Sequence, residues 1–440
     1  MYKFIGRILV GLCMTVMMGS CIYDSPEGIE DDIDAPIDKN MVVLQLNIKS
    51  LAVSATDNPV EKIKSLRVVI VGKGDGETPD SIECNTLINV PDMPAKEYSY
   101  IFRWNSKPGA KDIFVLANES SVSGQLTTQL NSYREKSGAG GFDDWLENYN
   151  FSPSYDVDTK NNVFLPYSYC YRGLTPKPGE VNTINAWLVP VAAKFIFNFI
   201  NKRTNAVKVK GISMSYANVS NYLLAHLGKD EITKKYNGKS LYWVDWLAEI
   251  SKNSWGSTSS GANDEYNKEV GWISEYYLPY PNDSQEYIFV REGSEDVFEV
   301  DGATKTEEEG VETVNPGKHT TPVYYLPESV NYRRPGEEVA GQNDETDTDV
   351  TDELKEQRFY LTLLMEDAET STAPDFNNVA IPNLLALFRN TYVIIDFTMT
   401  EGEIDVYAEI AQWNYKRANG WLNEGTTAPP NNPFRIRKKW

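Results

Sequence analysis

Over Val42-Val-Leu-Gln-Leu-Asn-Ile-Lys49 the residues Val42, Leu44, Leu46 and Ile48 fall on one face, while Gln45, Asn47 and Lys49 fall on the other. A period of two predicts a strand with one buried side. Leu66-Arg-Val-Val-Ile-Val71, closing on Gly72, Gly74 and Gly76, and Ile113-Phe-Val-Leu-Ala117 are short apolar runs, which suit strands covered on both faces. Gly72-Lys-Gly-Asp-Gly76 has neither dinucleotide-fingerprint nor P-loop spacing and reads as a turn. From Ser123 to Lys136, and again from Leu241 to Ile250, the apolar spacing is helical and predicts short helices. A second strand series opens at Trp187-Leu-Val-Pro190 and continues through Lys194–Ile200, after the turn-forming Pro176-Lys-Pro-Gly179. It resumes at Phe359–Met365, Tyr392–Thr398 and Ile404–Ile410. Short strands bounded by turn residues, without regular strand–helix alternation, predict a mostly β chain of sandwiches rather than a parallel sheet.

Length divides this pattern further, because 440 residues are too many for one compact core and imply two domains. The expected division is residues 41–185 and 186–415, with exposed insertions at about 229–355 and an extension over 416–440. Aromatic content, 26 Tyr, 16 Phe and 10 Trp, agrees with a sheet-rich fold.

Residues 1–20 carry Lys3 and Arg7, then the apolar run Ile8–Met18 and the small pair Gly19-Ser20, which is the layout of a secretory signal and too short to span a bilayer. The junction Gly-Ser-Cys resembles the lipobox of bacterial lipoproteins, so Cys21 is the expected lipidation site. Several acyl chains on one residue make attachment durable where one chain holds only marginally. Residues 21–40 are acidic, hold two prolines and read as a tether. With the leader removed, 40 basic residues face 63 acidic ones, a net −23, which repels nucleic acid. Cys13 leaves with the leader; Cys84 and Cys170 then form either one disulfide or two buried thiols.

Little in the sequence points to catalysis. His226 and His319 stand far apart without a nucleophile motif or metal spacing. The acidic stretch Asp344–Asp352 lacks the glycine and terminal Glu of a calcium loop and reads as solvated. The expectation is a non-enzyme with no metal and no cofactor.

The order of the pieces resembles a known family. The leader and tether, then VVLQLNIKS, KIKSLRVVIVG and DIFVLANES, look like the first domain of the Bacteroidetes fimbrillins, FimA-like type V pilus subunit lipoproteins. AAKFIFNFI, YYLPES at Tyr324–Ser329 and FRNTYVIIDFTMTEGEIDVYAEIAQW ending at Trp413 resemble the second. The resemblance implies two transthyretin-like β-sandwich domains in tandem, routed to the cell outer membrane through a lipid anchor and assembled with other fimbrial subunits by strand exchange. It also implies adhesion to a host or bacterial surface ligand. In polymerising members an Arg-specific protease cuts after the first strand and opens a groove for a neighbour's strand. The matching segment here, Lys49–Asn58, holds no arginine. Lys49-Ser50 is either a processing site for a Lys-tolerant protease or an ordinary strand end. At the other terminus Phe434, Ile436 and Trp440 lie an even number of positions apart, among four basic residues. They form either a donor strand or a charged edge strand of their own domain. The competing function is a surface lipoprotein that binds glycans as a monomer, with Trp243, Trp246, Trp255 and Trp272 as a sugar platform.

Overall fold

The computed structural model describes residues 38–50, 59–75, 77–90, 99–135, 137–152, 164–224, 233–236, 239–242, 285–308, 311–329, 359–380, 387, 389–412 and 435–439. Cys21, the acidic stretch at 344–352, His226 and the four tryptophans at 243, 246, 255 and 272 lie outside them.

The alternating segment is β1 (Val42–Ser50), and its inward residues Val42, Leu44, Leu46 and Ile48 are completely buried. It is followed by β2 (Ser65–Gly72), β3 (Ser81–Asn89), β4 (Ser99–Ser106), β5 (Lys111–Ala117), a short β6 (Asn150–Phe151), β7 (Tyr167–Leu174) and β8 (Val181–Pro190). Seven of these form a sheet in the order β3-β2-β5-β7-β8-β1-β4. Only Tyr167↔Pro190 and Ser168↔Val189 pair β7 with β8, so the sheet folds there into two leaves. Leu44, Leu46 and Ile48 of β1 and Ala186 and Leu188 of β8 share one apolar cluster with Leu66, Val68 and Ile70 of β2 and Val115 of β5. That cluster is the filling of a sandwich.

β2 and β5 are also covered on their other face, which explains their unbroken apolar runs. Val69, Val71, Phe114 and Leu116 pack on Leu126 and Leu130 of α1 (Gly124–Ser132) and Phe142 and Leu146 of α2 (Phe142–Glu147). Ser123 caps α1, its hydroxyl accepting from Leu126 N at 3.1 Å. Arg67 faces this layer, 2% exposed, with Nε and Nη2 on the Glu119 carboxylate at 2.6 and 2.7 Å.

Of the alternatives for the two cysteines, the structure has the buried thiols. Cys84 joins the sandwich filling and Cys170 the helix-side cluster, on opposite faces of one leaf. The order β3-β2-β5-β7 puts three strand spacings between them, about 14 Å. A disulfide needs Cα atoms within roughly 7 Å. Burial pushes both thiols up to about 12.

Beyond β2, Lys73 Nζ bridges Asp80, Asp112 and Asp143 at 2.5, 3.4 and 2.8 Å. Burial, reinforced by Asp112 and opposed by Lys73, pushes the Asp143 carboxyl up from 3.8 to about 6. Because the folded state then holds this proton more tightly, its contribution to stability is complete below about pH 4 and is lost as pH rises through about 6. Asp143→Asn removes that dependence. In thermal unfolding from pH 4 to 7 the variant should gain on the wild type as pH rises, and parallel profiles would show that Asp143 titrates as an ordinary carboxylate.

The chain changes sheet between Pro190 and Ala193. Trp187–Pro190 therefore ends the first sandwich instead of opening the second, because β8 is held parallel to β1 from Val181 to Leu188. The second begins at β9 (Ala193–Asn201) and β10 (Val207–Ala217). Then come β11 (Asn221–Tyr222), which pairs β6, and the hairpin β12 (Thr233–Tyr236) and β13 (Lys239–Tyr242). Leu241 and Tyr242 thus lie in a strand, not the expected helix, and residues 243–250 are outside the described set. β14 (Gln285–Val290), β15 (Phe298–Val300), the hairpin β16 (Thr304–Glu308) and β17 (Val311–Asn315), β18 (Gly317–Thr320) and β19 (Tyr324–Leu326) follow. The described part of 229–355 is more than exposed insertion: β14 and β15 pair with β10, and β18 and β19 with β9. The last strands are β20 (Tyr360–Asp367), β21 (Val379–Ala380), β22 (Thr391–Met399), β23 (Glu403–Gln412) and β24 (Arg435–Lys439).

One sheet of this second half runs β18-β9-β22-β23-β24 and the other β14-β10-β20-β21. Aromatic rings join them: Phe197 of β9 meets Phe289 of β14 edge to face at 4.8 Å, and Phe199 of β9 meets Phe298 of β15 edge to face at 5.2 Å. Among the described strands each half has one parallel pair, β1 with β8 and β9 with β22. All these strands lie in one unit, Lys39–Trp440.

Two buried ion pairs lie where the halves meet, and the first of them crosses between the halves. Lys194 of β9 reaches Glu61, in the short helix Pro59–Glu61 after β1, at 2.9 Å. Tyr325 donates to the same carboxylate at 2.8 Å, and the Tyr167 hydroxyl donates to the Glu61 carbonyl at 2.8 Å. Arg389, 1% exposed, binds Glu328 through Nε and Nη2 at 2.9 and 2.7 Å. It also donates to the carbonyls of Tyr222, Leu223 and Leu224 and to the Ser168 hydroxyl of β7.

Candidate functional site

The strands nearest the two ends of the described chain form the candidate site. β1 lies inside its leaf, antiparallel to β4 from Val42↔Ser106 to Lys49↔Ser99 and parallel to β8 from Val43↔Val181 to Ser50↔Leu188. Its sequence contains no Gly or Pro to interrupt either ladder. Burial of its four inward side chains stabilises the leaf by about 1.5–3 kcal/mol each. The outward face fixes register through polar contacts: Arg103 Nε donates to Gln45 Oε1 at 2.9 Å, and Asn47 Nδ2 to Asn185 Oδ1 at 3.2 Å. Withdrawing β1 exposes two strand edges along a slot roughly 30 Å long, from 3.3 Å per residue, with four vacant pockets at alternate positions.

Lys49 is a half-buried strand residue whose ammonium lies 5.4 Å from the ring centroid of Trp187, and Ser50 is 9% exposed. A protease reaching the 49–50 bond must first peel the last residues of β1 from β8. Residues 51–58 lie outside the described set. Arg67 is sealed against Glu119 and offers no alternative cleavage point.

β24 pairs antiparallel with β23 at the end of its sheet. Its register sets Ile436 opposite Val406, Arg437 opposite Asp405 and Lys439 opposite Glu403. Phe434 and Trp440 lie outside the described residues. In this structure the terminal strand thus completes its own sheet edge, and among the described strands only β23 pairs with it.

Periodicity located β1 but not its clamps Arg103, Asn185 and Trp187, because β4 carries Ile101 outward, 60% exposed, and so lacks a clean alternation. The buried Glu61, Lys194, Glu328 and Arg389 were missed too. A lone Lys in the apolar run of β9 was the available signal, since a charge there requires a partner. His319 stacks on Phe298 at 3.9 Å, as a packing residue. Among the described residues no group of three or more His, Cys, Asp and Glu side chains is placed to hold a metal.

The fold defines a class: a mostly β protein of sandwiched sheets, with a fully enclosed first strand and a last strand on a sheet edge. Similarity to solved structures spans most of this chain. The tip fimbrial protein Mfa3 from Porphyromonas gingivalis is 14% identical at a TM-score of 0.42, covering 85% of this chain and 100% of that one. A fimbrial assembly protein from Parabacteroides distasonis is 9% identical at 0.37, covering 84% and 98%. The fimbrial anchor protein Mfa2 from Porphyromonas gingivalis is 9% identical at 0.29, covering 84% and 99%. No family model matches the chain, and no curated protein matches it.

Proposed function

We propose that this protein is a structural and adhesive subunit of a cell-surface fimbrium, of the fimbrillin kind, that joins its neighbours by exchange of terminal strands. The observation that carries this is β1: a whole strand inserted between β4 and β8, with all four inward side chains completely buried. Such a strand leaves, on departure, a slot that any extended segment with apolar residues at alternate positions can fill. β24 supplies a segment near the other terminus that, among the described strands, pairs with β23 alone. Its arginines and lysines steer it toward an acidic neighbour.

Lipidation at Cys21 places the subunit at the outer membrane. The arginine-free segment after β1 and the position of Lys49 within the ladder favour a subunit that keeps its first strand and stays tethered, as an anchor does. The division into two domains follows the sheet change at 190–193. Deleting residues 433–440 in cells that display the fibres tests the donor strand. The expected outcome is a folded subunit, by circular dichroism, that no longer enters fibres; fibres of normal length and number would exclude the role.

A further inference from the structure

The ion pair between Glu61 and Lys194 differs from a structural salt bridge in the way its carboxylate is held. Both side chains are almost sealed, 1% and 3% exposed. Glu61 Oε1 accepts from Lys194 Nζ at 2.9 Å and from the Tyr325 hydroxyl at 2.8 Å, whereas the equally buried Oε2 has no hydrogen-bond partner among the described residues. A carboxylate kept as a buried anion needs donors on both oxygens. Lys194 lies 5.0 Å from the ring centroid of Tyr392, and burial outweighs Glu61 in pulling its pKa below the usual lysine value, which favours the amine. Val60, Ile63, Ala193, Phe195 and Leu326, the chain neighbours of the three reacting groups, all belong to the dry apolar cluster.

Together these groups form an acyl donor, a nucleophile and an oxyanion donor at hydrogen-bond distance. We propose that Glu61 and Lys194 condense into an intramolecular isopeptide bond that covalently ties the first sandwich to the second. A proton passes from the ammonium to the carboxylate and settles on Oε2, giving amine and carboxylic acid. The Nζ lone pair attacks Cδ, the Cδ–Nζ bond forms and negative charge collects on Oε1, where Tyr325 donates. The Cδ–Oε2 bond breaks, and Oε2 leaves as water with the acid proton and one proton from nitrogen. Nothing is oxidised or reduced. The fold supplies the driving proximity by holding residues 133 positions apart in one geometry, and the apolar surroundings oppose the reverse hydrolysis. The inference does not depend on the fimbrial role.

Tryptic digestion of the folded, full-length protein decides it. The expected product joins the peptide containing Glu61 to one left uncleaved after Lys194, lighter by one water than the two together. Under denaturing electrophoresis the closed loop makes the chain run faster than its linear form. Glu61→Gln should give a product of identical mass by losing ammonia, while Glu61→Ala gives none. Tyr325→Phe keeps the pair and slows bond formation by about 10²-fold, the effect of removing one oxyanion donor. Only linear peptides from folded wild-type protein, with normal cleavage after Lys194, would overturn the proposal. So would a cross-link at Lys194 that persists in Glu61→Ala, or a wild-type rate in Tyr325→Phe.

Discussion

A chain beginning at Leu51, without β1, is expected to lose its monomeric state. Four completely buried side chains leave the sandwich, costing about 1.5–3 kcal/mol each and so of order 6–12 kcal/mol together, an upper estimate because the unfolded chain also buries some surface. That is comparable with the whole stability of a typical domain. The backbone groups of β4 and β8 that faced β1 lose their partners as well. The truncated protein should either unfold or fill the slot from another molecule, which size-exclusion chromatography with light scattering separates. A peptide of sequence VVLQLNIKS added during refolding should restore a compact monomer–peptide complex. The same peptide with Leu44 and Leu46 replaced by aspartate should not, because each carboxylate would enter an apolar pocket unpaired. A truncated chain that remains a stable monomer without peptide would show that β1 contributes little to the leaf, and the exchange model would fail with it.

The second large effect is expected at Arg389. Arg389→Met removes from Glu328, 0% exposed, its ion pair with Arg389 and takes a donor from the carbonyls of Tyr222, Leu223 and Leu224. Breaking a buried pair from one side costs about 3–5 kcal/mol. Denaturant unfolding should show that loss as a lower midpoint. The double variant Arg389→Met with Glu328→Leu should recover part of it, since the buried carboxylate that lost its ion pair is then removed as well. A single variant within 1 kcal/mol of wild type, taking about 1 kcal/mol as the scale of an ordinary substitution, would mean that water reaches Glu328.

How much of this was legible in the sequence depended on whether a strand has one wet face. β1 was legible to within one residue because Gln45, Asn47 and Lys49 interrupt its apolar residues at every second position. β2, β5, β9 and β22 were legible as continuous runs, since each is buried on both sides. β4 and β14 were not, because Ile101 and Ile288 face outward and blur the period. β15, β18 and β19 are three or four residues long, too short to carry a period at all. Their place in the sheets is set by pairing with β10 and β9 across a hundred or so positions, which local pattern does not encode. Residues 285–326 accordingly read as a loose insertion although they supply strands to both sheets of the second half. The site divided in the same way. The candidate terminal strands could be placed from spacing, whereas Glu61 and Lys194 each looked like one charge in an apolar neighbourhood until the fold brought them to 2.9 Å.

The parallel pairing of β1 with β8 has a mechanical meaning. Tension applied ahead of Val42 enters β1 at its first residue, and it leaves β8 past Pro190, at the far end of the shared ladder. Pulled from opposite ends, two parallel strands slide along each other, so the backbone bonds between them resist together. An antiparallel hairpin pulled at its open end yields them one at a time. The ladder that encloses the first strand is therefore also arranged to bear load along the chain.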